Sequence, residues 1–517
     1  MTSRRLRGRV GCAALLGVAL GIKSPAHARG PLGANGEKIT TSDYAIDLFQ
    51  GPVFAGSRVT GLGGAYVAIA SDVDGMLQNP VAPAVRPFFS VTHFDYWLGF
   101  GLTFPSTFQN MDFFNSGAES RDGAKAPVES FVFATPAAML QFGAFGVGLN
   151  FEFQAYDLGN YTADGQDNKL VVAFNVAHGQ MAYAFERGEL VLGTGVRYLF
   201  MDVRTRVAGE SREIPLRSLG AGFELGALWR PPGEVFSVGA AYRTAIDTTP
   251  TLSDAAVFND SGDVVFETDQ AQFYLPTQAV LPWDLNIGVA AQIGVDPENE
   301  PWVSDRTLSR RQELRGQLRM LDREAYRNAE LARAQTPEAR AEINARYDAL
   351  DRKDQAEIDE AREAAYWQIQ RSMAKARFPH VVVAASALIS GSVDNAVGLE
   401  SFLSQEVNRS GDSAVVSLRL GAEMGLIPNL LRVRSGTYLE PTRFDTSIAR
   451  PHYTGGFDLR LAVWNVFGLW PDDYVWRLSV GVDIARDYST LGVTIAGWYP
   501  RHVGKVKMPG VPEASFE

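Results

Sequence analysis

Between Val416 and Leu426 the chain alternates without a slip: Val416, Leu418, Leu420, Ala422, Met424 and Leu426 share one face, and Ser417, Arg419, Gly421, Glu423 and Gly425 the other. Successive side chains of a β-strand point to opposite faces, so such a strand needs an apolar medium on one side and a polar one on the other. The pattern returns in residues 476–484, where Trp476, Leu478, Val480, Val482 and Ile484 oppose Arg477, Ser479, Gly481 and Asp483, and again in residues 457–463 and 236–243. A soluble sandwich also alternates. The strands here run about 10 to 19 residues, however, where soluble ones usually run five or six. Many end in aromatics, among them Trp97, Tyr156, Trp229, Trp464, Trp476, Trp498 and Tyr499. Such lengths and ends fit a transmembrane β-barrel with aromatic girdles at both membrane interfaces.

Fourteen segments of this kind can be marked, eight within residues 88–294 and six within 378–500. An even count suits a bacterial barrel. The connections QFG, ERG, PPG and LIPN are tight, whereas residues 105–127, 158–167, 248–282 and 390–412 are long. With a periplasmic start, the tight turns fall in the periplasm and the long loops outside. The expected fold is all-β, a transmembrane antiparallel barrel of about 14 strands.

The first residues agree with export. Arg4, Arg5, Arg7 and Arg9 precede an apolar run from Val10 to Ile22 and an Ala26-His27-Ala28 site, which reads as a secretory signal peptide. Cleavage removes Cys12, the chain's one cysteine, and with it disulfides, thiolate metal sites and cysteine nucleophiles. It also removes five of the 48 Lys+Arg and none of the 59 Asp+Glu, taking the net charge from −11 to −16. That balance argues against nucleic acid as a partner. Past the leader no run of 18 apolar residues occurs, so membrane crossing falls to strands.

One connection departs from the pattern. Residues 305–376 are rich in Ala, Glu, Arg, Leu and Gln, with apolar residues at helical spacing such as Leu314, Leu318 and Leu321, then Ile343, Tyr347 and Leu350. Thr336-Pro337 reads as an N-cap followed by proline at the first helical position. Two antiparallel helices are expected, periplasmic by parity. They either pack on themselves and the barrel rim or dock a periplasmic protein partner.

The stretch Ser57–Arg86 combines a glycine turn, an Ala-rich run, an acidic turn and an Asn-Pro break. A dinucleotide loop would need G-x-G-x-x-G within a βαβ unit. Gly61 and Gly63 fit, but the sixth position is Tyr66 and strands follow without crossover helices. The segment instead resembles the N-terminal hatch of the FadL family of outer-membrane hydrophobic-compound transporters and their PorV-type relatives. The residues that carry the resemblance are Gly61, Gly63, Gly64 and Tyr66, Ala68 to Ala70, Asp72 to Asp74, and Asn79-Pro80, with Val81 where the family usually has alanine. A weaker likeness covers Arg419 to Pro441. The chain then divides into a signal peptide (1–28), an N-terminal segment with the hatch (29–87), barrel strands (88–294), a helical insertion (295–377), further strands (378–500) and a C-terminal tail (501–517).

A barrel of this strand number encloses a lumen wide enough for solutes, and a folded segment inside would close it. The lumen face should carry Arg197, Glu224, Arg243, Arg419, Glu423, Arg432, Arg434, Asp458, Arg460, Arg477 and Asp483. These form either a charge network holding hatch to wall or, for the arginines, a guide for a ligand's carboxylate. The FadL resemblance implies passive uptake of a hydrophobic or amphipathic small molecule of the long-chain fatty acid or hydrocarbon class, with outer-membrane lipid around the barrel. It also implies capture by outer-loop residues such as Phe108, Phe113, Phe114, Phe273, Tyr274 and Leu275, which could equally pack the loops together. Sideways release would use a kink at Gly143, Gly146 and Gly148, since glycine weakens a strand. The PorV-like alternative is a structural or shuttle partner of secreted proteins. An enzyme is disfavoured, because His93, His178, His380, His452 and His502 are scattered and show no metal spacing or serine motif. No cofactor or metal is expected.

Overall fold

Fourteen antiparallel strands close on themselves in sequence order: β1 (Phe94–Pro105), β2 (Val128–Phe142), β3 (Phe145–Tyr161), β4 (Asp167–Phe185), β5 (Leu190–Val207), β6 (Glu210–Trp229), β7 (Phe236–Arg243), β8 (Asp284–Gly294), β9 (His380–Ser390), β10 (Val415–Ile427), β11 (Leu431–Glu440), β12 (Arg450–Val463), β13 (Val475–Ala485) and β14 (Tyr488–Gly497). Strand β14 returns to β1 with Gly99 opposite Ala496 and Pro105 opposite Thr490. The structure, a computed structural model, describes residues 32–86, 93–105, 112–117, 128–161, 167–207, 210–251, 257–267, 272–294, 299, 302, 305–375, 380–445, 447–463 and 474–498. The leader, the C-terminal tail, Phe108, Trp464 and Tyr499 lie outside these residues.

Alternation decides which way each side chain faces. Leu418, Leu420 and Met424 lie exposed on the outside of β10, while Arg419 and Glu423 are buried within. The outward set on other strands is likewise apolar, with Phe151, Phe153, Phe200, Leu219, Phe223, Val289 and Leu225 all exposed, as a lipid-facing band requires. No helix among the described residues is long and apolar enough to cross a membrane. Not every strand-end aromatic joins a girdle: Trp97, Tyr156 and Trp498 point inward and are buried. Phe94, Phe142, Phe145, Tyr183, Phe185 and Trp229 supply the outer aromatics at one end instead.

The lumen is not polar throughout. Towards the end carrying the long loops, the inward faces of β2 to β6 present Phe131, Phe133, Phe174, Val176, Met201 and Val203, which pack with Ile46, Leu48 and Phe113 into the largest apolar core. The sequence hid this because on these strands both faces are apolar.

The N-terminal segment also reaches further than a lumen hatch. Ala45–Asp47 forms the middle strand of a five-stranded sheet at the loop end, parallel to Gln278–Leu281 on one side and to Ala396–Val397 on the other, with Ile246–Thr248 and Arg409–Ser410 at its edges. A buried Asp47–Arg443 ion pair at 2.7 Å fastens it. From there the chain descends through the lumen by the helical turns Ser57–Gly61 and Asp72–Gly75. It ends at the opposite rim, where the Arg86 guanidinium lies 4.6 Å from the centre of the Trp302 ring.

At that rim two helices, α1 (Asp305–Arg333) and α2 (Pro337–Lys375), pair as expected. Their interface is mainly ionic. Arg319 meets Asp354 and Glu357 at 2.7 Å each, Arg323 meets Asp351 at 3.0 Å, and Arg362 meets Glu313 at 2.8 Å. Leu314, Leu318 and Leu321, at helical spacing on α1, remain exposed.

Candidate functional site

An ion-pair web joins the lumen segment to the wall. Arg58, on the first helical turn, bridges Glu423 of β10 at 2.7 Å and Asp72 of the next turn at 2.9 Å. Arg477 of β13 meets Asp72 at 3.4 Å, Asp458 of β12 at 3.6 Å, and Asp74. Arg434 of β11 pairs with Asp458 and stands 3.5 Å from Glu423. Sequence reasoning placed the wall members and missed Arg58, whose signal was a lone arginine in the otherwise uncharged turn Ser57–Gly61. Arg432 stacks on Trp498 at 4.4 Å, and Arg460 is half-buried on β12 opposite Arg477. A second buried cluster sits higher on β11 to β13: His452 contacts Asp483 at 2.8 Å through one ring nitrogen and Glu440 at 2.7 Å through the other. Tyr438 donates to Asp483 at 2.6 Å.

Close backbone approach explains the glycines. Gly63 has φ of +60°, and a Cβ there would lie 2.9 Å from the Thr437 carbonyl oxygen and 3.0 Å from that of Leu420. Side chains rarely adopt that backbone geometry. A Cβ on Gly61 would meet the Arg434 stem at 2.7 Å, and one on Gly64 would meet Arg419 Nη1 at 2.9 Å. Tyr66 is buried, with its hydroxyl 2.9 Å from the Ser71 hydroxyl. Asn79 donates to the carbonyls of Val67 and Ala227 at 3.0 and 3.2 Å, and Pro80 packs on Gly226 of β6.

Between this segment and the wall lies a cavity of about 150 Å³. Its polar lining includes Arg197, Arg243, Arg419, Glu152 and His178, and its apolar lining includes Phe54, Phe174, Val176, Leu281 and Leu388. Arg243 is neutralised by Asp284 at 3.1 Å and Glu224 at 3.5 Å. Arg197 and Arg419 are buried too. Arg197 donates to the Thr244 carbonyl at 2.7 Å, and Arg419 has a marginal 3.5 Å contact to the Ser417 hydroxyl. Neither pairs with a carboxylate of a described residue. Buried cations ordinarily have such a partner, so each guanidinium can donate to an anionic group, in a cavity that the carboxylates of Glu152 and Asp284 also line.

Of the two roles open to the loop aromatics, packing is the one observed, and the glycines of β3 take a role other than a kink. Phe113, Phe273 and Leu275 are core residues and not an open capture surface: Phe113 stacks on Phe54 at 5.3 Å, Phe114 packs edge-on to Phe113, and Tyr274 is half-buried, its carbonyl accepting from Tyr44. Nor does β3 kink. Gly146 and Gly148 stand in a ladder with β4 that runs unbroken from Phe145 to Tyr161, and Gly143 forms the β2–β3 turn. The missing side chains of Gly146 and Gly148 instead make room for Pro83 and Met76 of the lumen segment.

Fold and site together define a closed, fourteen-stranded barrel plugged by its own N-terminal segment. No protein-family model matches the chain, and no curated protein matches it. Among solved structures it is similar to a Pseudomonas aeruginosa FadL homologue, at 10% identity over 90% of this chain and 100% of that one with a TM-score of 0.44. It is also similar to the CymD monoaromatic hydrocarbon channel, at 11% identity over 88% and 100% with a TM-score of 0.40. A third is a TodX monoaromatic hydrocarbon channel mutant, at 12% identity over 84% and 98% with a TM-score of 0.42.

Proposed function

We propose that the chain is an outer-membrane channel for passive uptake of an amphipathic, carboxylate-bearing hydrophobic molecule of the long-chain fatty acid class. The cavity carries this reading: two buried arginines with no carboxylate partner among the described residues face the same space as Phe174, Val176, Leu281 and Leu388. The lipid-facing band supports a membrane setting, and tight turns at the end bearing α1 and α2 support a periplasmic position for that end. The lumen segment acts as the hatch, held shut by the Arg58–Asp72–Glu423 and Arg477–Asp74–Asp458 pairs.

The test is retention of oleate by delipidated, detergent-purified protein. Arg197→Met with Arg419→Met should weaken it at least tenfold, since charge-assisted bonds to a carboxylate contribute about 1.5–3 kcal/mol each, while binding of a hydrocarbon of equal length stays unchanged. Equal loss for both ligands, or for neither, would refute the reading. The alternative, a PorV-like partner for secreted proteins, draws on the Leu314–Leu318–Leu321 stripe exposed on α1. An empty lumen in purified protein, with a co-purifying polypeptide lost on deleting residues 305–375, would favour it.

A further inference from the structure

We propose that the cavity takes up its anionic ligand together with one proton, which His178 holds between Glu152 and Glu224; the inference deepens the anion-site reading above and rests on it. The cavity is lined by Arg197, Arg243 and Arg419 and by the carboxylates of Glu152 and Asp284. Glu224, fully buried behind them, lies 3.5 Å from Arg243 and 3.4 Å from His178. The lumen segment adds Gln50 and Gln78 to the lining and, among the described residues, no ionisable side chain. Three cations therefore meet three carboxylates, and with a neutral imidazole the cluster carries no net charge. A carboxylate ligand would leave one uncompensated negative charge in a buried site, a costly state. Among the described residues of the cluster, His178 is the one able to supply a further positive charge near neutral pH.

The imidazole stands between two carboxylates. His178 is buried on β4, opposite Asn150 of β3 and Arg197 of β5. Its Nε2 lies 2.9 Å from Glu152 Oε1. An ionised carboxylate only accepts, so Nε2 carries the hydrogen and donates to Glu152. Glu224 Oε1 accepts from Gln180 at 2.7 Å. Its other oxygen, Oε2, faces His178 Nδ1 at 3.4 Å, and neither of these two buried atoms has a hydrogen-bond partner among the described residues. In the neutral ring both are acceptors and repel each other. A proton on Nδ1 turns that contact into a charge-assisted bond. It also offsets the charge of Glu152, whose one basic partner among the described residues is His178 and which lines the space beside Arg197 and Arg419. The two arginines are then left to the ligand, and anion and proton enter the cluster with no net change in charge.

A long-chain alkyl sulfonate keeps its charge throughout, so any titration it reveals belongs to the protein. The delipidated, detergent-purified full chain is titrated with hexadecanesulfonate in weakly buffered solution, with hexadecanol as the uncharged control, from about pH 5 to about pH 9, either side of the ordinary histidine value of about 6.5. Proton uptake is read from the pH of the medium. Expected are up to one proton taken up per sulfonate bound, an affinity that falls by up to about tenfold per pH unit on the alkaline side, and neither effect with the alcohol. His178→Gln should abolish the uptake and weaken sulfonate binding at acid pH. Glu152→Gln removes one negative charge in advance, so sulfonate should bind without proton uptake and keep its affinity at high pH; added to His178→Gln, it should restore binding. A histidine that only supports the wall would move neither proton uptake nor its loss in Glu152→Gln. Sulfonate binding that still depends on Arg197 and Arg419 but takes up no proton at any pH overturns the coupling alone, and uptake that persists in His178→Gln overturns the role of His178. Sulfonate binding that is indifferent to Arg197→Met with Arg419→Met at every pH overturns the anion site, and the coupling with it.

Discussion

Arg58→Met should loosen the hatch without dismantling the barrel. Arg58 is the one cation that the lumen segment itself contributes to the web, and it serves Glu423 on the wall and Asp72 on the hatch. Removing one partner of a buried pair strands the other and typically costs about 3–5 kcal/mol. Here the lower end applies, since Arg434 stands 3.5 Å from Glu423 and Arg477 stands 3.4 Å from Asp72. About 3 kcal/mol is a factor of roughly 140 in the closed-to-open equilibrium. Single-channel recording in planar bilayers reads that shift as the fraction of time spent conducting. The double variant Arg58→Met with Glu423→Gln removes both charges of one pair and should conduct less than Arg58→Met alone, with a coupling of about 1–3 kcal/mol. If Arg58→Met is as tight as the unmodified protein, or if the double variant shows the plain sum of two losses, the ion pairs do not hold the hatch.

Gly63→Val should destabilise the plugged barrel by at least about 2 kcal/mol, because it combines a positive φ with overlap against Thr437 and Leu420; heat-modified gel migration at stepped temperatures measures it. Deleting residues 57–83 should leave a barrel that conducts continuously in planar bilayers, and a deletion that stays tight would remove the hatch from the mechanism. In the outer loops, the Ser42 backbone N–H, bound at 2.8 Å, holds the Asp263 carboxyl below its usual range, with Thr41 and Ser42 hydroxyls adding to it. A depressed carboxylate stabilises the folded form above the ordinary value of about 4 and loses that contribution as pH falls through the folded value. Protease accessibility of residues 32–48 should therefore rise below about pH 4, and Asp263→Asn should flatten that response.

What the sequence disclosed follows from how each element is stabilised. A strand between lipid and a polar lumen shows its period in one dimension, so β10 and β13 and the ends of most others could be placed from residue order. Facing Phe131, Phe133 and Phe174 on the inside with Phe151 and Phe153 on the outside erases that contrast, which is why the apolar half of the lumen was not legible. The three-residue strand Ala45–Asp47 is decided by neighbours more than two hundred positions away, Gln278–Leu281 and Ala396–Val397, and no local pattern announces it. The web was half legible: its wall members lie on alternating strands, but their partner Arg58 is fixed by the path of the hatch. The glycines of β3 carried a real signal that was misassigned, since a missing side chain serves close packing as readily as a kink.

The division of the lumen sets the orientation of anything held there. Above the cavity the walls are apolar, and below it the hatch and wall exchange ion pairs that are already matched. An alkyl chain pointed downward would separate those pairs and leave buried charges unpartnered, at several kcal/mol each. Pointed upward, it meets Phe174, Val176 and Leu281 while its carboxylate remains at Arg197 and Arg419. A bound anion also changes the balance below, because Gly64 of the hatch packs against Arg419. Drawing that guanidinium towards a ligand would withdraw a contact from the glycine turn next to Arg58. The two arginines would then couple occupancy to the hatch, so Arg419→Met should abolish any ligand-dependent rise in conductance, whereas Arg197→Met should weaken binding and leave the rise at saturating oleate intact. Equal behaviour of the two variants at saturation would break that link.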